Sequence, residues 1–186
     1  MNTRHTYAAL LRGINVSGKT MVPMAELKAC FEKLGFEDVV TYINSGNVIF
    51  RSTEADPRQL EDQIEKALTT TFSASINTVV RSIDEIRELL DHLPKRWLSS
   101  RPQKCNVIFL RHTVDKPSIT DGLVTKKGIE ELYYRPGALL WSAGTSNLGK
   151  SEMVKLSRNP IYQEMTVRIL NTVRKIYAIM QTIDAS

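Results

Sequence analysis

Residues 10–50 read LLRGINVSGKTMVPMAELKACFEKLGFEDVVTYINSGNVIF, and this stretch decides the fold. The apolar run at 7–11 forms a first strand that ends at Arg12-Gly13, and a glycine- and asparagine-bearing loop follows to Val22. Pro23 suits the first position of a helix, where a missing N–H costs nothing. Leu27, Cys30, Phe31 and Leu34 then mark one face at helical spacing, and Gly35 suits the position just past the helix end. Residues 39–43 make a second strand and 47–50 a third, joined by the turn Asn44-Ser45-Gly46-Asn47.

Working outward, Asp56-Pro57 reads as an N-cap and N1 proline opening a helix with Leu60, Ile64, Ala67 and Leu68 inward. Residues 76–80 make a fourth strand. Ser82 and Glu85 have capping-box spacing before a helix that buries Ile86, Leu89, Leu90 and Leu93. The order is β-α-β-β-α-β-α. Residues 94–104 (PKRWLSSRPQK) form a basic linker, and beyond it the pattern restarts. Residues 107–110 followed by Arg111 echo residues 8–11 followed by Arg12. Residues 133–141 overlay residues 42–50 without a gap, and Val167-Arg168 overlays Val80-Arg81. Helices are predicted at 117–127, ended by Gly128, and at 150–156, with a frayed tail at 182–186. The fold class is α+β: two tandem ferredoxin-like (split β-α-β) subdomains related by internal duplication, at 1–93 and 105–186, around the linker.

That topology has a consequence for the opening stretch. The end of the first strand and the turn between strands two and three share one sheet edge. Arg12, Gly13, Asn15, Gly18 and Lys19 therefore face Asn44, Ser45, Gly46 and Asn47. A guanidinium, an ammonium, amides and loop N–H groups in one place suit an anionic ligand. The alternative is that the glycines serve tight turns and the asparagines satisfy loop backbone. Residues 13–20, GINVSGKT, also fit the P-loop pattern letter for letter. In a P-loop, however, a helix starts at the Gly-Lys pair, and Pro23 would then break its first turns.

Composition bounds the remaining choices. The 186 residues are 42% hydrophobic and 24% charged, as in an ordinary soluble globular protein. Neither a membrane span nor a signal peptide is read from the sequence, so the protein is expected in a bacterial cytoplasm. Cys30 and Cys105 read as reduced, buried thiols. His5, His92 and His112 are scattered without metal-ligand spacing, so no metal and no cofactor is expected. The net charge of +5 is uneven: residues 1–93 carry 10 Lys/Arg against 13 Asp/Glu, residues 94–186 carry 15 against 7. The basic second half suits nucleic acid or another anion, or else an acidic first half. Trp97 in the linker either stacks on a base or pins the linker to a domain. Arg168, Asn171 and Thr172 make a secondary polar patch at the last strand–helix junction.

Residues 10–50 resemble the N-terminal signature of the bacterial domain-of-unknown-function 1697 family, with weaker matches at Gly149-Lys150-Ser151 and at 166–176. The resemblance implies two related α/β subdomains of ferredoxin-like type and no established activity. It carries over the pattern around Arg12-Gly13-Ile14-Asn15, Ser45-Gly46-Asn47 and Arg168, Asn171 and Thr172. Two departures stand out: the family does not usually have Thr at Thr20, and Ile169-Leu170 replaces a usual Asn-Trp pair. Three functions stay open. One is a binding module for a phosphorylated or nucleic-acid ligand at the 12–22/44–47 edge. Another is an enzyme on a small anionic metabolite at that edge. The third is a protein-interaction module without a small-molecule site.

Overall fold

Every outward-facing N–H of the edge strand β4 (Thr78–Ser82) is met by a carboxylate. Glu65 accepts from Thr78 N at 2.7 Å, Glu61 from Val80 N at 2.9 Å and Glu85 from Ser82 N at 2.7 Å. Such capping removes an unpaired edge that would otherwise invite further strand pairing. The computed structural model describes residues 3–16, 20–98 and 103–185. It is a mixed α+β fold with two four-stranded antiparallel sheets. The chain divides into two units, Met1–Arg87 with Arg174–Ser186, and Glu88–Val173.

In the first unit, β1 (His5–Leu11), α1 (Met24–Lys33), β2 (Glu37–Tyr42), β3 (Asn47–Ser52), α2 (Pro57–Phe72), β4 and α3 (Ile83–Asp91, to Arg87) follow the predicted order. The sheet order is β2-β3-β1-β4. Tyr7, Ala9, Leu11, Val48, Phe50 and Val80 present one face to Leu27 and Phe31 of α1 and Leu60, Ile64 and Leu68 of α2. Phe36 stacks on Phe50 with ring centroids 4.4 Å apart. Capping follows the sequence: Asp56 accepts from Arg58 N at 2.9 Å, and Ser82 and Glu85 exchange the two bonds of a capping box. Pro23 stands at the N-cap of α1 rather than inside it.

The second unit repeats the strand plan with β5 (Gln103–Leu110), β6 (Glu130–Arg135), β7 (Ala138–Gly144) and β8 (Met165–Ile169) in the order β6-β7-β5-β8. Matching bonds recur. Leu11 N donates to Gly46 O at 2.8 Å and Leu110 N to Gly137 O at 3.0 Å; Arg12 N donates to Asn77 O and Arg111 N to Glu164 O. Arg81 and Arg168 each donate to the preceding carbonyl, Val80 O and Val167 O.

Several expectations need correction. The ungapped overlay of 42–50 on 133–141 holds only from Gly46 and Gly137 onward. The first turn has two more residues, because Tyr42 pairs with Asn47 whereas Arg135 pairs with Ala138. The predicted helix at 117–127 is a 3-10 segment, Pro117–Gly122, cut short by its glycine. The helix at 150–156 is replaced by three 3-10 segments, Thr145–Lys150, Glu152–Arg158 and Pro160–Glu164. Ser151 and Asn159 restart the chain there, accepting from Met153 N and Ile161 N, because such side chains compete with a continuous ladder. The tail is ordered as helix as far as Asp184: α4 (Leu170–Asp184) runs into it, Ile183 is buried, Thr6 Oγ1 donates to Asp184 at 2.7 Å, and residue 186 lies outside the described residues. Of the linker, residues 95–98 form a 3-10 turn, and 99–102 lie outside the described residues.

Candidate functional site

The loop after β1 and the turn between β2 and β3 meet at one sheet edge, as the topology required. Leu11 N donates to Gly46 O at 2.8 Å, and Asn15 Nδ2 reaches Asn44 O at 3.0 Å across the gap. Asn15 also ties its own loop, donating to Val22 O at 2.9 Å and accepting from Val22 N at 2.8 Å. Asn47 is fully buried and donates to Tyr42 O and to Ser45 Oγ, both at 3.0 Å. Both asparagine amides are therefore spent on backbone and turn, as the alternative in the sequence reading described. They build the edge rather than reach out of it.

Backbone strain collects in the same place. Of the five described non-glycine residues with positive φ, three stand here: Asn15 at 54°, Thr20 at 37° and Ile43 at 50°. For a β-branched residue such as Ile43 this is an outlier, and such outliers persist only where surrounding bonds enforce them. Gly46, at φ 74°, is needed for a second reason. A Cβ there would lie 2.7 Å from Leu11 Cβ and 2.9 Å from Ile14 Cδ1. Gly13, at φ 68°, has open space around it.

What faces outward is mixed. Arg12 is half-buried, while Gly13, Asn44 and Thr20 are exposed. Val16, Met21 and Ile43 are exposed apolar side chains flanking the Asn15–Asn44 bond. Among the described residues of this edge there is no carboxylate, histidine or cysteine. Gly18 and Lys19 lie outside the described residues. The P-loop reading fails on helix placement, since α1 begins at Met24, four residues beyond Thr20.

In the second unit the matching edge holds its own anions. Asp115 accepts from Gly137 N at 2.9 Å and from Tyr134 Oη at 2.9 Å, and Arg111 Nε lies 3.4 Å from Glu164. Thr113 Oγ1 donates to the same Glu164 at 2.9 Å.

The chain belongs to the family described as "Protein of unknown function (DUF1697)". The family's model matches residues 4–141, which include the whole 12–47 edge and stop before the patch at 168–172. The chain is also similar to a solved structure of the conserved bacterial protein SP0830 from Streptococcus pneumoniae. The two share 30% sequence identity over 96% of this chain and 99% of that one, with a TM-score of 0.84. No curated protein matches the sequence.

The secondary patch is not a solvated surface. Arg168 and Thr172 are buried and only Asn171 is exposed. Arg168 donates to Thr166 Oγ1 and Val167 O, both at 2.8 Å, and burial brings its pKa down to about 10. Trp97 is buried, with Nε1 donating to Ser142 Oγ at 3.0 Å, so it pins its segment and presents no face for a base. No helix among the described residues is long and apolar enough to cross a membrane, and no His/Cys/Asp/Glu group among them could hold a metal.

Sequence reasoning missed a buried carboxylate, Glu130 at the start of β6. Its Oε1 accepts from Lys126 N at 2.9 Å and Glu152 N at 3.1 Å; its Oε2 accepts from Trp141 Nε1 at 2.9 Å and from Ser151 Oγ. Burial pushes this carboxyl's pKa up, but the hydrogen bonds to its charged form outweigh that and hold it below the usual value. A carboxylate so stabilised is a poor proton acceptor. It clamps the Ser151 segment to the sheet rather than activating the serine. Its partners lie up to 22 positions away, so no local pattern announces it.

Proposed function

We propose that this protein is a binding module whose first unit takes a phosphate-bearing ligand at the edge formed by residues 12–22 and 44–47. The observation that carries the reading is the contrast between the two units. The matching edge of the second unit is closed by Asp115, whose carboxylate sits on Gly137 N, whereas the first edge has no acid among its described residues. An external anion takes that role there, met by Arg12, and the loop sequence supplies a second cation in Lys19. The strained, internally bonded asparagine frame supports this, because strain of this kind gathers at ligand clamps. Binding is favoured over catalysis because the described edge offers no general acid, general base or thiol.

The contrast rests on reading the fold as two ferredoxin-like units related by internal duplication. The common strand order and the paired bonds at Leu11 and Leu110, Arg12 and Arg111, and Arg81 and Arg168 support that reading. Cys30 and Cys105 form no disulfide, which accords with a bacterial cytoplasm. One observation favours a second reading, a protein-docking edge: Val16, Met21 and Ile43 are exposed together.

Fluorescence anisotropy with labelled single strands of about ten nucleotides tests the proposal. The expected result is binding at low salt, with log K falling by about 0.7 per tenfold salt for each phosphate neutralised. Competition by inorganic pyrophosphate at equal phosphate concentration points to a small phosphorylated ligand, and its absence to nucleic acid. An R12A/K19A double variant that binds as well as the parent, or a parent that binds neither probe, refutes the proposal.

A further inference from the structure

One face of the second sheet carries Ile108, Leu110, Leu139 and Trp141, covered by the 3-10 segments and packed on Ile119 and Leu156. At the other end of this face the cover is incomplete. A cavity of about 240 Å³ lies there, lined by Lys104, Asn106, Trp141, Leu148, Met153 and Val154. Lys104 pairs with Ala143 and Asn106 with Trp141 across β5 and β7, so both polar residues project on the same side as Ile108.

Asn106 is out of place as a core residue. It stands in an inner strand, is 4% exposed, and is followed on its own face by Ile108 and Leu110. Its Nδ2 donates to Met153 Sδ at 3.2 Å, and among the described residues this is its side-chain hydrogen bond. A thioether is a weak acceptor, and a buried amide so partnered keeps an unmet demand for an oxygen. The indole N–H of Trp141 and the hydroxyl of Ser151 are both committed to Glu130, so they shape the wall and do not recognise a ligand. That commitment also fixes the wall. Glu130 holds Ser151 and Glu152, and Lys126 Nζ reaches Lys150 O at 2.8 Å and Glu152 at 2.7 Å. Lys104 is exposed and makes no ion pair among the described residues. Two strand positions separate it from Asn106, about 7 Å along β5.

We propose that this cavity binds a small amphipathic carboxylate. The planar apolar body lies against Trp141 and Leu148, and the carboxylate takes the Asn106 amide and the Lys104 ammonium. The volume falls below the usual range for drug-sized ligands, so the ligand has about ten non-hydrogen atoms.

Titration of the full chain with 3-phenylpropionate and with its neutral counterpart 3-phenylpropan-1-ol tests this, read on the NMR signals of the Asn106 amide and the Trp141 indole. The acid should give saturable shifts and bind about tenfold tighter than the alcohol, as a charge-assisted pair requires. K104M should bring the acid to the alcohol's affinity. V154W, at a rim position 62% exposed, should occlude the cavity and abolish both, with the other amide signals unmoved. Absence of saturable shifts from either probe up to about 10 mM overturns the site. So do shifts that survive V154W. Equal binding of acid and alcohol, unchanged by K104M, overturns the carboxylate assignment.

Discussion

Replacing Gly46 by alanine should destabilise the first unit far more than the same change at Gly13, although both glycines have nearly the same backbone angle. Gly13 has φ 68° and Gly46 φ 74°, so the cost of placing an L residue in the left-handed region, about 1–2 kcal/mol, is common to both. The difference is space. A Cβ at Gly13 meets nothing within 4 Å, whereas at Gly46 it lies 2.7 Å from Leu11 Cβ and 2.9 and 3.1 Å from Ile14 atoms. Leu11 and Ile14 are themselves buried in the core, so neither can swing into solvent to make room. Overpacking of this kind adds about 1–3 kcal/mol. Gly46→Ala should therefore cost about 2–5 kcal/mol and Gly13→Ala about 1–2 kcal/mol. At about 2–4 °C per kcal/mol for a chain of this size, thermal melting should separate the two variants by roughly 2–12 °C. Denaturant unfolding gives the same comparison at constant temperature. Equal losses in the two variants would mean that the turn does not close on Leu11 and Ile14, and the edge as described would be wrong.

Asn47→Ala should lose about 1–3 kcal/mol in chemical denaturation, because Tyr42 O is left without its buried donor. If Asn47 served a ligand alone, the free protein would barely notice the change. Glu130 contributes stability that is present above its unfolded pKa, near 4.5, and is lost as pH falls through the lower folded value. Melting curves of the parent should thus fall toward those of Glu130→Gln below about pH 4.5, whereas a constant gap between them would refute the lowered pKa. Tyr7 has its pKa pushed up to about 12, first by burial and then by Glu54, Glu85 and Asp56, while its hydroxyl donates to Glu54 O at 2.9 Å. Its contribution is present below pH 10 and lost as pH rises toward 12. The parent should therefore weaken more steeply than Tyr7→Phe across that interval, as followed by circular dichroism.

The parts of the fold that could be read in advance are those with a local cause. Proline at Pro57, the Ser82/Glu85 pair and the period of Leu60, Ile64 and Leu68 each act within a few residues, and the structure follows them. The convergence of Asn15 with Asn44 was also legible, because it follows from strand order rather than from side-chain detail. The failures came where weak helical signals met frequent caps. Between residues 145 and 164 Gly149, Ser151, Asn159 and Pro160 interrupt every attempt at an α-helix, and spacing alone could not show that three short 3-10 turns would result. The roles of the polar residues were harder still. Arg168 and Thr172 read as a polar patch and are buried, with Arg168 bonded to its own strand at Thr166 and Val167, which residue type alone does not announce. Glu130 and Asn106 gave no signal beyond a polar letter in a strand, and only assembled packing shows that one accepts four hydrogen bonds and the other donates to a thioether.

The most direct measurement is a backbone-amide NMR titration of the full chain with inorganic pyrophosphate at low salt. Shifts that saturate and concentrate at Arg12, Gly13, Asn44 and Ser45, with the Asp115–Gly137 edge unmoved, are the predicted result. Shifts that fall on the Asp115–Gly137 edge instead, or no shifts in either unit with pyrophosphate and none with a ten-nucleotide single strand, would contradict the account.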